Sequence, residues 1–257
     1  MKGKYKISII TLGLLITFSL PIFAGGSDQF NLDLKTELIL LGAGGGAVAT
    51  GMVLKIFTEE PKALPEGWAA WPSFPYNEGL ADGSNYLLAT GMAGLPFLMS
   101  SWTGEDAAIL GIMYIEAMSL SWGVKESLKA VFTKYRPFTT DSNPPSDLMA
   151  EEDRYFSFPS GHTTVAFTTA GFATTIFAAS DAPKWAKGVF TGANFAIAAG
   201  VASLRVTSGK HYLVDVLAGA FIGTASGMLI PLLHSNKQDR NLVFGLSPSM
   251  AAVSFSY

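Results

Sequence analysis

Six stretches of the chain are apolar almost throughout, and polar or proline-rich segments separate them. They run from Leu38 to Phe57, Tyr86 to Trp102, Ala107 to Phe132, Thr163 to Ala179, Trp185 to Leu204 and Tyr212 to Leu233. Each comes close to the ~20 residues that an α-helix needs to cross a bilayer. Glu116, Asn194 and Asp215 interrupt the third, fifth and sixth stretches, and polar side chains in such helices face the bundle interior. The pattern predicts an all-α fold, a membrane-associated helical bundle of about six helices. A tightly packed soluble helical domain is the alternative. After the last stretch the period changes. Leu242, Phe244 and Leu246 alternate, as do Val253, Phe255 and Tyr257, around Ser247-Pro248-Ser249. Period two predicts a short β-like C-terminal tail over 241–257, a small hairpin or an unstructured end.

The N-terminus has its own pattern. Lys2, Lys4 and Lys6 precede an apolar run from Ile9 to Leu20, followed by Pro21 and the small residues Ala24, Gly25 and Gly26. This reads as a signal peptide over 1–24. Ile22, three residues back from a cut after Ala24, fits a cleavage site poorly, so an uncleaved N-terminal anchor is the other reading. The helical domain then occupies 25–240.

Composition sharpens the class. Hydrophobic residues make up 49% of the 257 and charged residues 14%, against about 25% charged in soluble domains. The net charge of −3 supplies no basic field, so nucleic acid is not an expected partner. The absence of cysteine excludes disulfides, thiolate metal sites and cysteine nucleophiles. Among the connections, 58–83 carries four prolines with Trp68 and Trp71, a composition suited to a membrane interface. The segment 133–161 is the longest polar one, and 205–210 is a short turn around Ser208-Gly209.

Three blocks at helix–loop junctions carry candidate chemistry. Lys129 and Arg136 are seven apart, with Pro137 next; on a helix they share one face and project from its end. Simple end-capping of the helix dipole would use the same residues. Phe158-Pro159-Ser160-Gly161-His162 leads into the fourth stretch. Ser160 is a good N-cap, Gly161 permits close backbone approach, and the helix start would bind an anion beside His162. In the third block Arg205 precedes His211, and Asp215 follows four residues later. That spacing puts His211 and Asp215 on one helix face. A carboxylate on one imidazole nitrogen would fix the tautomer and leave the other nitrogen to attack; a salt-bridged turn is the structural alternative. The third histidine, His234, ends the last apolar stretch and reads as dipole capping.

Together the blocks resemble the type 2 phosphatidic acid phosphatase superfamily, which includes bacterial acid phosphatases and vanadium haloperoxidases. Its pattern is Lys-x6-Arg-Pro, Pro-Ser-Gly-His and Ser-Arg-x5-His-x3-Asp. The chain matches at Lys129, Arg136 and Pro137, at Pro159 to His162, and at Arg205, His211 and Asp215, with Leu204 in place of the serine. The resemblance covers about 80–233 and implies a phosphatase. In it, Lys129, Arg136 and Arg205 would hold phosphoryl oxygens, and the Ser160 hydroxyl and the Ser160 or Gly161 amides would add donors. His211 would form a phosphohistidine, Asp215 would orient it, and His162 would protonate the leaving oxygen and then activate water. It implies no metal and no cofactor. A haloperoxidase, or a lipid-phosphate-binding protein without catalysis, are the rivals. An apolar bundle suits a lipid phosphate, with a soluble phosphomonoester second. The expected location is the bacterial cell envelope, with the site facing the periplasm. Three crossings after a cleaved leader would instead put Lys129 in the cytoplasm, so one stretch, the glycine-rich first, is expected not to cross.

Overall fold

The structure is a computed structural model that describes residues 30–99, 105–235, 242–247 and 250–255. The signal peptide or anchor expected over 1–24 lies outside the described residues, as do the end of the second apolar stretch and part of the tail. Among the described residues are seven α-helices: α1 (Leu34–Ile56), α2 (Glu78–Met99), α3 (Glu105–Val131), the one-turn α4 (Ser146–Ala150), α5 (Gly161–Ala179), α6 (Lys184–Thr207) and α7 (Leu213–His234). The six long helices are those the apolar stretches announce. The tail forms two antiparallel strands, β1 (Leu242–Ser247) and β2 (Met250–Phe255), with Leu242 opposite Phe255.

Local chemistry sets where the helices begin. Asp33 caps α1 by accepting from the Thr36 amide, and Ser160 caps α5 by accepting from the Thr163 amide, each satisfying a donor that the first turn leaves free. The start of α2 at Glu78 is eight residues before the apolar run at Tyr86. Asn77 explains it, because its side-chain oxygen accepts from the Leu80 amide at 3.0 Å.

Burial is inverted relative to a soluble bundle. The outward faces of α1, α6 and α7 expose Leu38, Ile39, Ile56, Trp185, Val189, Leu217 and Phe221. Inside, α5 buries Thr163, Thr164, Thr168, Thr169, Thr174 and Thr175. Thr164, Thr168 and Thr169 each donate to the carbonyl four residues back, at 2.8–3.0 Å, which satisfies the hydroxyls without water. Four helices, α1, α3 (from Asp106), α6 and α7, are long and apolar enough to cross a membrane. This is a membrane protein, and its glycine-rich first helix is among the four.

The tightest seam joins α5 to α7, where Gly219, Gly223 and Gly227 recur every fourth residue and let the two backbones touch. A Cβ on Gly223 would lie 2.3 Å from the Thr164 carbonyl oxygen, whereas one on Gly45 meets nothing within 4 Å. Gly223→Ala is therefore expected to destabilise the protein by about 1–3 kcal/mol, and Gly45→Ala to leave it unchanged or more stable. Thermal melts of the two variants in detergent check this. Because α5 and α7 start side by side, the seam also brings the second and third sequence blocks to one end of the bundle.

Candidate active site

The first block leaves its helix. α3 stops at Val131, and Arg136 lies beyond it in extended backbone with φ −75° and ψ 155°. The residue before a proline is disfavoured in helical angles, so Pro137 keeps Arg136 off the helix that the seven-residue spacing implies. The segment instead runs beside the polar loop, where the Lys134 amide donates to the Tyr155 carbonyl and the Arg136 amide to the Arg154 carbonyl. The shared-helix-face expectation for Lys129 and Arg136 is thus corrected. The two cations still meet, at Asp153: Arg136 Nη2 pairs with its Oδ2, and Lys129 Nζ lies 3.5 Å from its Oδ1. Lys129 also donates to the Phe156 carbonyl at 2.7 Å.

The third block is a turn followed by a helix. The His211 and Lys210 amides both donate to the Arg205 carbonyl, and Gly209 adopts φ +70° within 2.6 Å of the Phe74 carbonyl oxygen from any added Cβ. Only glycine meets both conditions at low cost. The turn hands His211 to Arg136, whose Nη1 lies 3.0 Å from His211 Nε2 and 3.0 Å from the Lys210 carbonyl oxygen. Arginine can only donate. Nε2 therefore carries the lone pair and the proton sits on Nδ1.

His211 precedes α7 and Asp215 is in its first turn, so the shared helix face expected for this pair is also corrected. Their separation is 3.6 Å between Nδ1 and Oδ2, and Nδ1 is buried without a hydrogen-bond partner. Asp215 is held elsewhere. It accepts from the Ser157 hydroxyl at 2.6 Å and the Tyr212 amide at 2.9 Å, and it pairs with Lys134. Its carboxylate is a fixed negative charge beside the imidazole.

The second block adds Ser160 and His162. The Ser160 amide donates to the Asp215 carbonyl at 3.0 Å, so it is not available to an anion. Ser160 Oγ accepts from Thr163 Oγ1 at 3.0 Å. The Gly161 and His162 amides are the first in α5 and have no intrahelical acceptor by position. His162 Nε2 lies 2.8 Å from Asn85 Oδ1. Lys125, one turn before Lys129, comes within 3.4 Å of where a Gly161 Cβ would be. Arg205 is buried; its Nη1 donates to Ser84 Oγ at 3.3 Å, while Nε has no partner.

Electrostatics unite the blocks. Burial, then Arg205, Arg136, Lys129 and Lys210, press the His162 pKa down to about 3. Burial, then Arg136, Arg205 and Lys129, hold His211 well below its ordinary value, against an opposing pull from Asp153. Both imidazoles thus sense the same three cations at short range and are neutral at pH 7. Burial, then Arg136 and Arg205, lower Lys210 to about 8. Burial raises the Asp153 carboxyl, but Arg136 and Lys129 outweigh it and keep the group ionised. What results is a concentration of buried positive charge around two neutral imidazoles.

Sequence spacing singled out Lys129, Arg136, Ser160, Gly161, His162, Arg205, His211 and Asp215. It missed Ser84, Asn85, Lys134, Asp153, Ser157 and Lys210. Lys134 and Lys210 adjoin block residues, which is a usable signal; Ser84-Asn85 is a polar pair at the head of an apolar run. Asp153 is one of five acidic residues within 141–153, and nothing local marks it out.

A sequence model described as the PAP2 superfamily matches residues 110–239. No curated protein matches the chain. Among solved structures, the crystal structure of Aquifex aeolicus LpxE is similar at 21% identity and a TM-score of 0.43, over 80% of this chain and 98% of that one.

Proposed function

The chain belongs to the PAP2 superfamily, and on that premise we propose that it is a metal-independent phosphatase that cleaves a phosphate monoester or pyrophosphate of a lipid through a phosphohistidine. The observation that carries this reading is the Arg136 guanidinium, 3.0 Å from the unprotonated Nε2 of a buried His211. That lone pair accepts from Arg136 here, and it is freed to face phosphorus when a phosphoryl oxygen takes over the guanidinium.

The residues divide the work as follows. Lys129, Arg136 and Arg205 bind the phosphoryl oxygens, with the Ser160 hydroxyl and the Gly161 amide as further donors. His211 Nε2 forms a bond to phosphorus as the ester P–O bond breaks. The positive charge that develops on the ring faces Asp215, which Lys134 and Ser157 hold in place. The leaving oxygen takes a proton from His162. In the second half His162 removes a proton from water, the oxygen attacks phosphorus, and the P–N bond breaks. Stabilising the oxygens' charge by fixed cations is the main demand of phosphoryl transfer.

The four spanning-capable helices and the apolar outer faces favour a lipid phosphate over a soluble ester. The helical domain over 25–240 would sit in the cell envelope behind a leader or anchor at 1–24, its site toward the periplasm. Purified protein should release orthophosphate from a panel of lipid phosphates in the presence of chelator, faster than from soluble esters. Vanadate should inhibit, because its five-coordinate form matches the transition state. Absence of phosphate release from every substrate, or indifference to vanadate, would overturn the proposal.

A further inference from the structure

The opposite end of the bundle holds a second polar cluster that the phosphate chemistry does not use. Glu37 of α1, Glu116 of α3 and His234, the last residue of α7, are all buried. Their ligand-type atoms lie within 4.8 Å of one another. His234 and Asp215 are nineteen residues apart on one helix, which at 1.5 Å per residue is about 29 Å.

The hydrogen bonding of the cluster does not close. His234 Nδ1 lies 2.8 Å from the Ile230 carbonyl oxygen. A carbonyl only accepts, so Nδ1 carries a proton and neutral His234 turns the Nε2 lone pair toward the glutamates. That lone pair faces acceptors: Glu37 Oε1 at 2.9 Å and Glu116 Oε2 at 3.4 Å. Both oxygens of Glu116, which is fully buried, and Glu37 Oε2 lack any hydrogen-bond partner. Buried carboxylate oxygens without a donor or counter-charge are costly. Making His234 an imidazolium supplies one positive charge for two carboxylates, and closing the rest takes either a proton shared between Glu37 and Glu116 or a cation.

We infer that Glu37, Glu116 and His234 form a structural site for one divalent cation of the zinc type. Such an ion balances two carboxylates and a neutral imidazole, and it gives each buried glutamate a bond through one oxygen. Zinc takes nitrogen and carboxylate ligands at about 2.0–2.2 Å, so ligand atoms in a tetrahedron sit about 3.4 Å apart, near the 2.9 and 3.4 Å that separate His234 Nε2 from the two carboxylate oxygens. A ligating imidazole that donates its other N–H to a backbone carbonyl is the usual outer-shell arrangement, and His234 has it. The ion would fasten α1 to α3 and α7 where the chain is already tied by the Asn31 amide donating to the His234 carbonyl. The site is separate from the phosphatase reading, which needs no metal.

The test uses full-length protein purified in detergent, without metal-affinity steps, from zinc-supplemented cells. Elemental analysis should find about one zinc per chain. The ion should persist in His211→Ala and fall to less than about a tenth of that in Glu116→Gln. After chelation, adding zinc at about a hundred times its Kd should raise the wild-type melting temperature by ~5–10 °C, a result that stands even if the variant fails to fold. Metal-free wild-type protein whose melting is indifferent to both zinc and manganese overturns the inference. So does zinc that is lost in His211→Ala but kept in Glu116→Gln, since the ion would then belong to the phosphate pocket.

Discussion

His211→Ala is expected to abolish turnover, with kcat falling by roughly 10⁴-fold or more. Alanine removes the only group placed to form a bond to phosphorus. It leaves Arg136 with its Asp153 and Lys210 partners and leaves Lys129 on Asp153. The cradle should therefore survive, and vanadate should still shift the melting temperature of the variant. Single-turnover assays with radiolabelled substrate would show label on the wild-type protein, stable to base and labile to acid, and none on the variant. Phosphatase activity near wild type in purified His211→Ala protein defeats the phosphohistidine route outright. The effect is large because the alternatives are occupied among the described residues: His162 is held by Asn85, Ser160 Oγ caps α5, and the site's other charged groups are cations or paired carboxylates.

His162→Ala should produce a loss that depends on the leaving group. For an alkyl phosphate, whose departing oxygen is strongly basic, removing the proton donor should cost about 10²–10⁴ in kcat/KM. For an activated aryl phosphate, which leaves unassisted, the cost in kcat/KM should be several-fold, with labelled phosphoenzyme accumulating because the second step has lost its base. The pH dependence has a definite sign. In the free site burial and four cations hold His162 at about 3, so it is neutral at pH 7. A bound phosphoryl dianion opposes the same cations and raises that pKa. The acid form is the working form in the first step, so kcat should fall as pH rises through the raised value, and the limb should lie well above pH 3. Binding should also take up a proton at pH values between the free and bound pKa. A pH–rate series on wild type and His162→Ala measures this; a limb unchanged in the variant assigns it to another group.

The helices were legible because an apolar run of bilayer length has few alternatives, and the three blocks because each joins charged residues to a helix end. What escaped was governed by tertiary contact. Spacing alone placed Arg136 on a helix and His211 on the same helix as Asp215; in each case the helix boundary falls between the paired residues. Pro137 could have given warning of the first. Asp215 does stand 3.6 Å from His211, while its hydrogen bonds run to Ser157 and Tyr212 and its ion pair to Lys134. Ser157 and Lys134 come from the 133–161 segment, whose path no periodicity describes. Glu116 was correctly read as facing inward, whereas His234 was read as a helix-end charge. Their meeting with Glu37 joins residues from α1, α3 and α7, and only the packed bundle reveals it.

Asp153 gives the pocket a property beyond its list of cations. It spans Lys129 and Arg136 with its side chain 53% exposed, so the chain carries its own counterion. An anion arriving between those two cations trades places with a carboxylate or shares with it, and net attraction is the difference between two ion pairs. The exchange runs equally well in reverse. In the proposed cycle, inorganic phosphate would meet a competitor that never diffuses away, which would favour prompt emptying of the site.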